Sequence, residues 1–444
     1  MPTSKDFGMR NALTTTSSLP RAGSGTRDTL PKLLLERLAR PQDTALRHKA
    51  LGIWNEWTWR AVAEEIELLA HALAAAGFSR GDTLSLLGER QPRLIWAALA
   101  AQSLGGAAAI IDAEWPSVTV ASVINSLAIR FIYAHGEKAI SSARQARDGA
   151  SASVWSILDD ESGFTGATPG SMGYEQAQAA GREHKRAFPD YFVASIDHGR
   201  PDDAAVVYYH LDADGALHVL TWRQEQLVSR ALELAAQLRL HSTDELIAAG
   251  PLGWPVDALF GLATWLAAGL RLNLPENRET VFVDRREIGP TLYYDQPAGY
   301  RRLRDEVVPR LPRLGSLRRR LIDASLAAAI HSKSRQSPLA SIAVGLALAP
   351  ARWLLLNPLR DVMGLSRAHT VLSAGESLPT DIAAFYRALR VPLHDIVVPK
   401  AEVHVFQADA ALGIPVQERA ASLFRSDVEP LASPDALDPQ PYLA

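Results

Sequence analysis

Cysteine is absent from this chain of 444 residues. Disulfides, thiolate metal sites and cysteine nucleophiles are therefore excluded, and a reducing cytoplasm is the compartment the composition fits. The 12 histidines form no H-E-x-x-H or similar cluster, so no structural metal is expected. A basic bias is missing too. The formal net charge is −3 and 21% of residues are charged, which argues against a nucleic-acid surface. The run Ala258 to Leu270 is apolar almost all round, but it is too short to span a bilayer. Bounded by Asp257 and Arg271, it reads as a buried helix.

What is present is enough apolar material, 47% of the chain, for a large core and two or three subdomains. Residues 1–28 are rich in Ser, Thr and Gly and lack a continuous apolar stretch. They read as a disordered leader, with a transit peptide as the weaker alternative, and order is expected from about Thr29. From there to about Arg147 helical and strand patterns alternate. Val62, Ile66, Leu69, Ala70 and Leu73 line one face of a helix stopped by Gly77, followed by strands at Thr83 to Leu87, Ala107 to Ile111 and Arg130 to Ala134. Such alternation predicts a doubly wound parallel sheet. Between Asp148 and Asp190 the periodicity fades into Gly, Ser, Ala and Gln, and a loop-rich connection is expected. The division that follows is a first α/β subdomain with its connection at 29–190, a second at 191–410, and a mostly disordered tail at 411–444.

The stretch around which the chain is organised is Ala204 to Leu227, AAVVYYHLDADGALHVLTWRQEQL. It predicts a strand, a tight loop, a second short strand and a helix. Many folds place a phosphate-binding loop in that layout, where backbone N–H groups and a lysine meet the anion. Here the loop holds one glycine, Gly215, and two acids, Asp212 and Asp214, that would repel a triphosphate.

The same stretch resembles the phosphate loop Y-T-S-G-T-T-G-x-P-K-G of the AMP-forming acyl-CoA synthetases, the adenylate-forming ligases. Tyr209 matches the tyrosine, Gly215 the last glycine, and His218 the lysine. His210, Leu211, Asp212, Ala213, Asp214 and Leu217 replace the remaining motif residues. Ala45 to Trp54 with Trp57 and Trp59 is similar to the long-chain branch, and the tryptophans are expected to pack a hairpin on the first long helix. Gly250 to Gly261 resembles the family element L-P-L-A-W-x-x-D-x-L-F, retaining Trp254, Asp257 and Phe260. Asp257 also reads simply as an acid suited to a helix start. Thr280 to Tyr294 is similar to a strand and I-G-P-T turn before a further strand. Val371 to Pro379 resembles the strand and turn against adenine, which makes Ser373, Ala374, Gly375 and Glu376 candidate nucleotide-side residues. Thr380 is the expected N-cap of the next helix.

Past that helix the family motif Y-G-x-T-E is represented at most by Glu402, with a one-residue slip, and no ribose or lid-lysine motif follows Phe406. The resemblance, over about Thr29 to Phe406, therefore implies an α/β fold of stacked sheet subdomains with helices, the N-terminal domain of the synthetases without the C-terminal lid. Two function classes follow. One is a catalytically inactive relative that keeps a long-chain acyl ligand or partners an active ligase, with no cofactor and no catalytic residue assigned. The other is a reduced AMP-forming acid–thiol ligase using ATP and Mg. A decayed gene product is the third alternative. Arg301 to Arg319 with Leu339 to Leu356 reads chiefly as a solvated helix face beside a buried helix, and secondarily as an amphipathic hairpin for peripheral contact with an anionic membrane.

Overall fold

The computed structural model describes residues 26–111, 115–127, 129–148, 154–160, 170–211, 217–250, 253–310, 316, 319–320, 357–375, 377–396, 402–406 and 418–420. The first helix, α1 (Leu30–Arg37), starts where the composition changes. The Thr29 hydroxyl caps it by accepting from Lys32 N at 3.4 Å, and a proline sits in its first turn. A hairpin of β1 (Thr44–Ala50) and β2 (Ile53–Thr58) leads into α2 (Trp59–Ala75). The alternating segment then runs β3 (Thr83–Leu87), α3 (Pro92–Ser103), β4 (Ala107–Ile111), α4 (Ser117–Ser126), β5 (Phe131–His135), α5 (Glu137–Asp148), β6 (Trp155–Asp159), β7 (Ser171–Gly173), α6 (Tyr174–Ala187) and α7 (Tyr191–Asp197).

Next come the hairpin β8 (Ala204–Leu211) and β9 (Leu217–Arg223), α8 (Gln224–Gln237) and β10 (Glu245–Ile247). A π-helical segment (Ala258–Thr264) runs into the single turn α9 (Trp265–Ala268). The chain continues with β11 (Arg271–Leu274), α10 (Val281–Ile288), β12 (Leu292–Asp295), α11 (Pro297–Val307), β13 (Thr370–Ala374), α12 (Thr380–Ala388), β14 (Leu393–Ile396), β15 (Glu402–Phe406) and β16 (Glu418–Ala420).

The strands form two sheets. Seven lie in the order β14-β13-β12-β10-β11-β1-β2 and nine in the order β16-β15-β9-β8-β4-β3-β5-β6-β7. Both are parallel except at the β1–β2 and β8–β9 hairpins and in the antiparallel pairs β9–β15 and β15–β16. The sheets interleave along the chain, since β1 and β2 join late strands while β8 and β9 join early ones. Helices α2, α3 and α8 with the π-helical segment share one core with the facing sides of both sheets. Helices α4 and α5 cover the outer face of the larger sheet, and α11 and α12 that of the smaller.

The tryptophans do not pack the hairpin on α2 as expected: Trp54 donates to Glu287 at 2.9 Å, Trp57 reaches α3, and Trp59 is itself the first residue of α2. Trp57 meets Trp96 edge-on at 5.8 Å, and Trp59 stacks on Trp265 at 5.0 Å. Several expectations are corrected. The connection at 148–190 contains β6, β7 and the 14-residue α6. Its polar composition hides a helix that docks on α2 through Gly181, where a Cβ would stand 2.1 Å from Leu68 O. Val281 to Ile288 is helical rather than extended. Its β-branched start is overridden by Asp284, which binds Lys49 at 2.8 Å and caps Glu276 N, and by Arg285, which binds Met363 O at 2.7 Å. Pro379, not Thr380, is the N-cap of α12. Within 411–444 the strand β16 pairs with β15. Residues 1–25, Leu339 to Leu356 and most of the tail lie outside the described residues. In the arginine-rich stretch, α11 buries Tyr300, Leu303 and Val307, and its Arg304 binds Asp381 at 2.8 Å. Among the described residues no helix is long and apolar enough to cross a membrane.

At the contact of α2 and α6, the Nδ1 atoms of His71 and His184 stand 2.8 Å apart, with the Lys185–Glu67 pair at 2.7 Å beside them. Burial, then the charges of His184 and Lys185, push the His71 pKa down to about 4. The unfolded chain takes up this proton near pH 6.5, before the folded one does. Stability that is intact above pH 6.5 is therefore lost as pH falls toward 4. In urea titrations across this window, His71→Met should remove up to about 1.4 kcal/mol per pH unit of the wild-type slope. Equal slopes in both proteins would rule out His71 as the titrating group.

Candidate functional site

In open parallel sheets ligands collect beyond the carboxyl ends of the strands. Here those ends from both sheets converge on one cleft of about 390 Å³. The larger sheet supplies Gly88 to Arg90 and Ile111, and the smaller one supplies Ala248 to Gly250, Pro275 to Arg278 and Gln296, with Trp254 and Pro255 between them.

The electrostatic centre of the cleft is an ion pair that joins the two halves. Arg90, just past β3, donates through Nη1 to Asp257 Oδ2 at 2.7 Å and through Nη2 to Gly250 O at 3.2 Å. Their side chains are 9% and 6% exposed. The hydroxyl of Tyr294 on β12 donates to Asp257 Oδ1. Tyr208 on β8 lies beside the same pair and hydrogen-bonds to the Ala258 backbone. Burial, and next the Asp257 charge, hold both phenols well above the usual tyrosine range, so they remain protonated. Burial is the largest influence on Arg90 and works against its charge, but Asp257, Tyr294 and Tyr208 together outweigh it and the arginine pKa is raised.

Three of the retained family residues, Trp254, Asp257 and Phe260, gather around Tyr294, and of these Trp254 lines the cleft. Trp254 stacks on Tyr294 at 5.8 Å, while Phe260 stacks on Tyr294 at 4.9 Å. Asp257 is an ion-paired and hydrogen-bonded acid, a more specific role than an acid at a helix start. Ser373 stands in register with Asp295 at the end of β13. Its Oγ is buried without a hydrogen-bond partner, Ala374 is buried, and Gly375 turns the chain at φ +105°. Glu376 lies outside the described residues.

The loop residues separate from this group. Tyr209 is buried on the opposite face of its sheet, with Val207 and Leu217, and does not line the cleft. Alternation along β8 turns Tyr208 toward Asp257 instead. His210 and His218 are paired across the β8–β9 hairpin, and His218 is buried between the backbones of β8 and β15. Asp212, Asp214 and Gly215 lie outside the described residues. Glu402 begins β15 in register with Thr221, four residues along β9 from Leu217, or about 13 Å from the loop at normal strand rise. The motif reading missed Arg90, Tyr208 and Tyr294. Period-two alternation in the strand Ala204 to Tyr209 would have flagged Tyr208. Nothing local in the sequence pairs Arg90 with Asp257.

A family model described as "AMP-binding enzyme" matches residues 36–397. The 2-succinylbenzoate–CoA ligase of Salmonella typhimurium is 33% identical over 85 residues, 19% of this chain and 19% of that protein. Among solved structures, the anthranilate CoA ligase AuaEII in complex with anthranoyl-AMP aligns with a TM-score of 0.58 at 16% identity, covering 86% of this chain and 60% of that one. ATP-bound MatB from Rhodopseudomonas palustris also aligns with a TM-score of 0.58 at 16% identity, covering 84% of this chain and 60% of that one. The chain thus spans about 60% of the length of these two structures. Such likenesses show the fold, in which the two parallel-rich sheets and their helices match the N-terminal domain of the adenylate-forming ligases. With the family model covering most of its length, the chain belongs to the AMP-binding enzyme family.

Proposed function

We propose that this chain is a non-adenylating member of its family that binds a compact carboxylic acid in the cleft between the two sheets. The observation that carries this reading is the split between two halves of the site. The cleft keeps Trp254 in its wall, with Asp257 and Phe260 packed behind it on Tyr294, while the position of the family's lysine is taken by His218, buried within a strand. Transfer of a phosphate-bearing centre depends on cations and hydroxyls aimed at the developing charge. The residues from His210 to His218 replace these with two carboxylates and aliphatic groups. A compact acid is favoured over a long-chain one because the apolar space beyond Asp257 measures about 30 Å³. The names of two relatives, ligases for 2-succinylbenzoate and anthranilate, point to the same class of acid. ATP-dependent acid–CoA ligation is the second reading, favoured by the buried, unpartnered Ser373 hydroxyl at the end of β13.

Calorimetric titration with ATP–Mg separates the two. Each lost charge-assisted bond weakens nucleotide binding by about 1.5–3 kcal/mol. The natural protein should therefore bind at least roughly a hundredfold more weakly than a form whose loop is rebuilt as T-S-G-T-T-G-x-P-K-G. Micromolar ATP binding by the natural loop, or pyrophosphate release with any acid, defeats the non-adenylating reading. On the acid side, Trp254→Ala should weaken anthranilate binding by about 1–3 kcal/mol through lost burial. Unchanged affinity in a variant with a native circular dichroism spectrum would take Trp254 out of the site.

A further inference from the structure

Beyond the cleft lies a second, interior cavity of about 30 Å³. Its walls are apolar, with Leu86, Leu94, Ile110, Val206 and Leu262 among them, and Arg90, Asp257 and Tyr208 form its polar end. Among the described residues, Arg90 is the single one common to the linings of both spaces. It is held there by Asp257 and by Gly250 O, and Asp257 is held in turn by the Tyr294 hydroxyl. Gly261 leaves the carboxylate its room, since a Cβ at that position would stand 2.7 Å from Asp257 Oδ1. Arg90 Nε is buried without a hydrogen-bond partner. A guanidinium that leaves one donor unsatisfied while filling the gap between two cavities is placed for what it blocks as well as for what it binds.

We propose that the Arg90–Asp257 pair is a plug that sets ligand class, confining ligands to the cleft and excluding any acid whose aliphatic chain must enter the interior. The proposal deepens the reading of the cleft as an acid-binding site and rests on it for the ligand, but not for the barrier. A chain passing inward would have to pull these buried charges away from each other and leave each facing hydrocarbon, which is strongly unfavourable. Removing both charges together leaves an apolar channel with no orphaned ion. In that channel each methylene newly buried strengthens binding by about fourfold, the equivalent of about 0.8 kcal/mol.

The test is calorimetric titration of the full chain, wild type and Arg90→Ala/Asp257→Ala, with benzoate and with octanoate. The wild type is expected to bind octanoate at least tenfold more weakly than benzoate. In the double variant the ratio of octanoate to benzoate affinity should rise at least tenfold. Should the alanine form lack a native circular dichroism spectrum, Arg90→Leu/Asp257→Asn removes the charges and shortens the arm with less loss of packing, and carries the same measurement. Wild-type protein that binds octanoate as tightly as benzoate overturns the plug, as does a folded variant that gains nothing for octanoate. If benzoate binds neither form while the variant acquires octanoate, the plug stands and the assignment of compact acids to the cleft falls.

Discussion

The two halves of this molecule meet at a buried ion pair, and the shape of the cleft follows from it. Arg90 comes from the end of a strand in the larger sheet, Asp257 from the segment after β10, and Tyr294 from a strand of the smaller sheet. Neither charge is stable there alone. In surroundings of low polarity a lone guanidinium or carboxylate would carry a desolvation penalty of several kcal/mol. The pair therefore ties the sheets together at one level and sets where their strand ends face each other. Trp254 and Phe260 then stack on the same tyrosine from the side of the π-helical segment.

A second constraint is strand parity. The sequence contains Tyr208 and Tyr209 side by side, and one of them must face each side of the sheet. The larger sheet packs helices on both faces, so both rings are buried, but only Tyr208 reaches the ion pair. Motif matching selects Tyr209 because it compares positions along the chain. Register with β4, where Ile110 opposes Tyr208, decides which ring reaches the site.

The β8–β9 hairpin is itself well formed. His210 opposes His218 and β15 adds a further strand at its edge. Backbone pairing in a sheet needs no particular side chain, whereas phosphate binding needs hydroxyls and a lysine at fixed points. The hairpin therefore carries the family scaffold whatever chemistry its loop residues have.

By itself the sequence determined the alternation of helices and strands, a helix beginning just after Thr29, the β8–β9 hairpin and the elements at Gly250 to Gly261 and Val371 to Gly375. These are written in local periodicity and short motifs, which require only neighbours along the chain. Tertiary structure alone decided the helix α6 in a polar stretch, the helix over Val281 to Ile288, the interleaving of the sheets and the Arg90–Asp257–Tyr294 cluster. Each of these depends on partners far apart in sequence: Gly181 with Leu68, Asp284 with Lys49, Arg90 with Asp257. No local pattern encodes such pairings. They become favourable only when the chain is compact and a charge or a missing side chain meets its counterpart out of water.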